Sequence, residues 1–182
     1  YYFSTSAGVT STDEIWGSDE AAPYLRSVPC KFDEEEPWSS WIVELPWKML
    51  EDRIREKGKG TVLRSVTVTR RSESGAATAL EAVSDKDSCI IENEYEIRKF
   101  LAPVNCMITE KDGTETAGGS LLPSAYFELE RTQNGNLQVR GKGYGHGVGM
   151  SQTGADKMAE QGYDYREILD YFFRNITVEN LG

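Results

Sequence analysis

Histidine occurs once in the 182 residues, at His146. Cysteine occurs three times, at Cys30, Cys89 and Cys106, far apart and with no C-x-x-C. One histidine and three scattered cysteines lack metal-ligand spacing, which argues against a zinc site and a metal hydrolase. Three cysteines are compatible with one disulfide and a free thiol, or with three thiols. Basic residues are outnumbered: 20 Lys and Arg stand against 30 Asp and Glu, a net charge of -10. That balance lacks the basic face that nucleic acid requires and does not favour docking on an anionic membrane. No apolar run is long enough to cross a bilayer as a helix, and no signal-peptide pattern occurs in the sequence as given.

What is present suffices for one domain with a real core. Four Trp and nine Tyr suit that core or a surface that contacts sugar rings. The acidic run Asp33-Glu34-Glu35-Glu36 reads as a solvated loop. Tyr1 to Ser6 reads as a strand already in mid-course, with no initiating Met, so the chain is expected to be a fragment of something longer.

Trp41 to Leu45 is a strand candidate, and Pro46 then suits the first position of a helix with Trp47, Leu50 and Ile54 on one face. Gly58 fits the stop of that helix. Thir parity-two spacing of Val62, Arg64, Val66 and Val68 predicts a strand over 61–70, turning at Ser74-Gly75 into a partner over 77–83. Glu94 to Leu101 reads as a helix ended by Pro103. Two strands, 125–132 and 137–142, flank Asn134-Gly135-Asn136, a hairpin signal. Ser151 can cap a helix that packs through Gly154, Ala155, Met158 and Ala159 and ends at Gly162. A last amphipathic helix spans 165–173, and Ile176-Thr177-Val178 reads as a closing strand. About four helices and about seven strands, joined by hairpins rather than regular βαβ units, give an α+β class.

The stretch from Gly141 to Gln152 stands apart. Five glycines fall in the nine residues 141–149, around the single imidazole, and a helical pattern follows at once. Such a loop either bends a strand into a helix or presents a polar side chain in a cleft. Phosphate binding does not fit. Gly145 and Gly147 are followed by Met150 where the dinucleotide fingerprint needs glycine, and Lys142 is followed by Gly143 where a P-loop needs Ser or Thr.

The run Gly141-Lys142-Gly143-Tyr144-Gly145-His146-Gly147-Val148-Gly149-Met150-Ser151-Gln152 resembles the stage II sporulation protein D (SpoIID) family. Gly154-Ala155, Met158-Ala159, Gly162, Tyr165, Ile168-Leu169 and Tyr171-Phe172 extend the likeness. So do Phe3 to Thr10, Trp16-Gly17, Tyr24 to Val28, Ser72 to Gly75, Ile97-Arg98 and Leu122-Pro123-Ser124. The likeness implies that 1–182 is the C-terminal portion of a SpoIID domain. Ala7 stands where the family has the first glycine of an S-G-G turn, and Ala76 where it often has Arg.

The family resembles lytic transglycosylases that cut peptidoglycan glycan strands stripped of stem peptides, during engulfment in sporulation. The resemblance implies an extracytoplasmic location at the cell wall or membrane, a partner amidase, a membrane-anchor protein and no cofactor. A related branch enhances cell-wall amidases, so the alternative is a non-catalytic peptidoglycan-binding or amidase-enhancing module. The family's catalytic acid is a glutamate in a G-E-x-P segment. This chain has none, and Glu44-Leu45-Pro46 lacks the glycine, so the acid is expected before Tyr1. The zinc cluster of some members is expected there too.

Glycoside cleavage needs a proton donor and stabilisation of charge on the sugar ring. On that reading His146, Ser151 and Gln152 form the catalytic group. His146 orients a sugar hydroxyl or the acid, or only hydrogen-bonds within its loop. Ser151 and Gln152 offer free backbone N–H groups at a helix start to an N-acetyl carbonyl or a carboxylate, or Ser151 is a plain cap. Tyr144 stacks on a sugar or packs, and Gly145 and Gly147, on either side of His146, belong to the same substrate-binding set. Ser4, Thr5 and Ser6 bind glycan or merely end a strand. Arg26 binds a lactyl carboxylate or forms a salt bridge with Asp13 or Glu14.

Overall fold

A computed structural model of the chain describes residues 3–18 and 22–179. Among the described residues, eight strands form two antiparallel sheets and four α-helices accompany them, in keeping with the α+β expectation. The five-stranded sheet runs in the order β6-β5-β1-β8-β7. Its members are β1 (Trp41–Leu45), β5 (Met107–Glu110), β6 (Glu115–Ala117), β7 (Phe127–Arg131) and β8 (Leu137–Gly141). The three-stranded sheet joins β2 (Leu63–Arg71), β3 (Ala77–Ser84) and β4 (Ser88–Glu92).

Burial alternates strictly along β1, with Trp41, Val43 and Leu45 inside and Ile42 and Glu44 outside, as a strand with one covered face requires. The helix α1 (Trp47–Glu56) follows. Pro46 precedes it as the N-cap residue, one position earlier than the sequence suggested, and Gly58 stops it at φ +69°. Leu50 and Ile54 are fully buried between the sheets, each worth about 1.5–3 kcal/mol of transfer free energy. The helix α2 (Glu94–Phe100) is capped by Asn93, whose side chain accepts the Glu96 N–H at 3.0 Å.

The expected parity of β2 is broken. Val62 is exposed and Leu63 buried, because β-bulges interrupt the pairing with β3 and the face changes along the strand. The strands β4, β5 and β6 were not expected. Ile176-Thr177-Val178 forms no strand, and the β-bridge in this part of the chain runs between Phe173 and Leu25. The expected first strand reduces to one bridge, Thr5 with Tyr144, while Tyr1 and Tyr2 lie outside the described residues.

A smaller core joins the segment around Val28 and Cys30 to α3 (Gln152–Glu160) and α4 (Tyr165–Phe172) through Met158, Ile168 and Phe172. Thr153 and Gly154 are buried on α3, whereas Ala159, expected in its packing face, is exposed. The three cysteines are free thiols. Burial, with the Asp33 charge nearby, pushes the Cys30 thiol up to about 11.

Candidate functional site

Trp41 opens the way to the site. Its register partner across β8 is Gly141, and a Cβ there would lie 2.0 Å from the indole, so only glycine leaves room for the ring. The Trp41 indole N–H donates to the Gly143 carbonyl at 2.8 Å and fixes where the chain leaves the sheet.

The glycine loop is stitched down on both sides. Tyr144 and Thr5 exchange backbone hydrogen bonds of 2.8 and 3.1 Å, and Ser11 N–H donates to Gly147 O at 2.7 Å. Gly145 N–H donates to the carbonyl of Pro123 at 2.9 Å. Arg98 holds that segment, donating from Nε to Leu122 O at 2.8 Å and from Nη2 to Pro123 O at 3.2 Å, while Nη1 binds the buried Glu94. Gly147 has φ +83°, and a Cβ on it would meet Cε2 of Tyr126 at 2.7 Å, so both backbone and space demand glycine.

The loop borders a cavity of about 810 Å³ lined by Phe3 to Ser6, Trp38, Arg98, Tyr144 to Val148 and Met150 to Gln152. The imidazole of His146 stands in its wall. Val148 N–H donates to His146 Nδ1 at 3.0 Å, so the neutral ring carries its proton on Nε2. Burial lowers the pKa of His146, and Arg98 adds to this while Glu94 opposes it. Tyr144 packs edge-on against Trp38, with ring centroids 4.8 Å apart, and tilts against Phe3 at 5.6 Å.

The structure thus brings His146, Ser151, Gln152, Ser4, Thr5, Ser6, Tyr144, Gly145 and Gly147 to one cavity. It redirects several of their groups. The first N–H groups of α3 are not free: Gln152 N–H donates to Ser4 Oγ at 3.0 Å, Thr153 N–H to Ser4 O at 3.0 Å and Gly154 N–H to Ser151 Oγ at 3.2 Å. The hydroxyls of Ser6 and Ser151 point inward to Asp33, at 2.7 and 2.6 Å. Thr5 Oγ1 bonds Thr153 Oγ1 at 3.2 Å.

Arg26 does not line the cavity and has no ion pair with Asp13 or Glu14. Its guanidinium reaches across to α4 and donates to the carbonyls of Asp170 and Tyr171, capping the negative end of that helix. Ala7 is not among the residues with positive φ, whereas Gly8 takes φ +88°, so only the second position of that turn needs glycine.

Three residues were missed by sequence reasoning. Asp33 is fully buried, not solvated, because the serines that bind its carboxylate come from distant parts of the chain. Trp38 lines the cavity from a 3₁₀ turn, Pro37–Ser39, that leaves no periodic signal. Glu94, four residues before Arg98 on α2, was visible as a helix pair but its burial was not. No group of His, Cys, Asp and Glu able to hold a metal occurs among the described residues.

The sequence profile of a family described as a domain of unknown function, DUF8618, matches residues 25–149, more than half of the chain. The chain belongs to the DUF8618 family. This DUF8618 chain is also 29% identical over 177 residues to stage II sporulation protein D of Bacillus amyloliquefaciens, covering 97% of itself and 44% of that relative. An uncharacterized protein of Brachyspira hyodysenteriae is 29% identical over 181 residues, with 97% and 42% covered. An amidase enhancer of Bacillus subtilis is 23% identical over 211 residues, with 97% and 29% covered. These homologues agree with the SpoIID family indicated by the motif in Gly141 to Gln152. The DUF8618 chain spans less than half the length of these curated relatives.

Proposed function

We propose that this chain supplies the substrate-holding wall of a SpoIID-type lytic transglycosylase that cuts denuded peptidoglycan glycan strands during sporulation. The observation that carries the reading is the placement of the sole imidazole, with its proton on Nε2, in a cavity of about 810 Å³ beside Tyr144 and Trp38. The ring's Nε2–H finds no acceptor among the described residues and is available to a sugar hydroxyl or an N-acetyl carbonyl. Tyr144 and Trp38 offer apolar surface to the sugar rings.

Cleavage requires a carboxyl with a raised pKa to protonate the leaving oxygen. A lytic enzyme then removes a proton from the muramic acid 6-hydroxyl, and the same carboxyl can act first as acid and then as base. Among the described residues that line the cavity, none is Asp or Glu. The sequence contains no G-E-x-P segment, so on this reading the proton donor belongs to polypeptide outside this chain, and His146 serves orientation rather than proton donation at the scissile bond. The site acts outside the cytoplasm, at the cell wall, beside a membrane-anchor protein.

The amidase-enhancer relative, with no carboxylate among the described residues that line the cavity, also favours a second reading: a peptidoglycan-binding module that stimulates a cell-wall amidase. Digestion of denuded peptidoglycan by this chain, and by a longer natural polypeptide that contains it, separates the two. The first reading predicts anhydro-muramic ends by mass spectrometry from the longer polypeptide, none from this chain, and fewer from a longer His146→Ala variant. Anhydro ends from this chain alone contradict the external donor. No ends from the longer polypeptide, with a rise in amidase turnover when it is added, support the second reading.

A further inference from the structure

We infer that Asp33 is the positioning residue of this cavity: one buried carboxylate holds two walls of the groove in their ligand-ready arrangement. The inference rests on the glycan-binding reading of the cavity. Asp33 is 0% exposed. Its Oδ2 accepts the Ser6 N–H at 2.8 Å and the Ser151 hydroxyl at 2.6 Å, and its Oδ1 accepts the Ser6 hydroxyl at 2.7 Å. Lys157 on α3 pairs with Glu36 and Glu160, at 3.2 and 3.1 Å, rather than with Asp33. Among the described residues, those three donors, with the neighbouring Cys30 thiol, replace the solvation that the carboxylate lost on burial.

All three donors come from segments that border the cavity, and none of them comes from the two large sheets. Ser6 follows Thr5, which is paired to Tyr144. Ser151 follows Met150 and caps α3, which begins at Gln152. The two segments also touch directly through the Ser4 carbonyl, which accepts Thr153 N–H and the Thr153 hydroxyl at 3.0 and 2.9 Å. Gly154 permits the close approach, since a Cβ there would lie 2.7 Å from Cys30 Sγ and 3.4 Å from Asp33 Oδ2. Asp33 itself does not line the cavity, so it acts on a ligand only through Ser6 and Ser151. The hydroxyls of those serines are acceptor-bound inward, so they shape the groove and do not read the sugar.

The test uses the 182-residue chain and a β-1,4-linked N-acetylglucosamine tetramer, with affinity read by calorimetry at a temperature where circular dichroism shows each variant folded. Asp33→Asn keeps the shape and turns one acceptor into a donor. It is expected to weaken the tetramer about tenfold or more, the scale of a lost charged hydrogen bond. It is also expected to shift the amide resonances of Tyr144 and Gly154 in the free protein. Ser6→Ala and Ser151→Ala are expected to weaken binding less, and non-additively with Asp33→Asn. His146→Ala is expected to weaken binding while leaving the Gly154 amide in place. Unchanged affinity in a folded Asp33→Asn, with loss in His146→Ala, overturns the role of Asp33 and leaves the groove reading standing. Unchanged affinity in His146→Ala, or no binding by the unaltered chain, overturns the groove reading and this inference with it. If Asp33→Asn does not fold, the Ser6→Ala/Ser151→Ala pair removes both side-chain donors and carries the same expectation and the same refutation.

Discussion

The rings of His146 and Trp16 meet edge to face, with centroids 5.3 Å apart and planes at 65°. Trp16 is half exposed and shields one side of the imidazole. With Val148 N–H held on Nδ1, the ring is kept in place without an acidic partner bonded to it among the described residues.

That environment has a consequence for pH. Burial lowers the folded pKa of His146 below its ordinary 6.5. As pH falls, the unfolded chain takes up its proton first. The contribution of His146 to stability is therefore whole above 6.5 and is lost as pH falls through the folded pKa. Urea unfolding of the chain and of His146→Gln, between about pH 7 and about pH 5, is expected to show the unaltered chain losing more stability than the variant. A nitrogen-15 spectrum is expected to show the Nε2–H tautomer at neutral pH. Greater loss in the variant contradicts the assignment.

Gly147→Ala tests the loop's backbone. A positive φ costs a non-glycine residue about 1–2 kcal/mol, and the contact with the Tyr126 ring adds about 1–3 kcal/mol. Denaturant unfolding is expected to show a loss of about 2–5 kcal/mol. Gly119→Ala, where an added Cβ meets nothing within 4 Å, is expected to be near neutral. Equal stabilities for the two variants contradict the geometry.

Arg26→Ala separates fold from recognition. The side chain ties the segment before Val28 to the last carbonyls of α4. Its removal is expected to cost about 1–3 kcal/mol in unfolding experiments, with glycan affinity at a permissive temperature unchanged. A loss of affinity without a loss of stability returns Arg26 to the binding surface.

The elements with strong local signals were legible in the sequence. The Asn134-Gly135-Asn136 hairpin, the Ser151 cap and the Gly58 stop are each set by residues within a few positions of one another. The short strands β4 to β6 were not, because each is held by its neighbour in the sheet rather than by its own pattern. Ile176-Thr177-Val178 shows the converse: β-branched residues without a pairing partner do not make a strand. In the site, the glycine loop announced itself by composition. Asp33 could not, since an acid beside Glu34 and Glu35 is buried only when Ser6 and Ser151, far away in sequence, arrive to bind it. The inward turn of the Ser6 and Ser151 hydroxyls has the same cause.

The most direct measurement is amide and imidazole chemical-shift mapping of the chain titrated with a soluble N-acetylglucosamine–N-acetylmuramic acid oligomer. The account predicts saturable shifts at Tyr144, His146, Gln152 and the Trp38 indole, with the Trp47 indole and the residues of β3 unmoved. Shifts confined to surfaces away from His146, or none at any accessible concentration, contradict it.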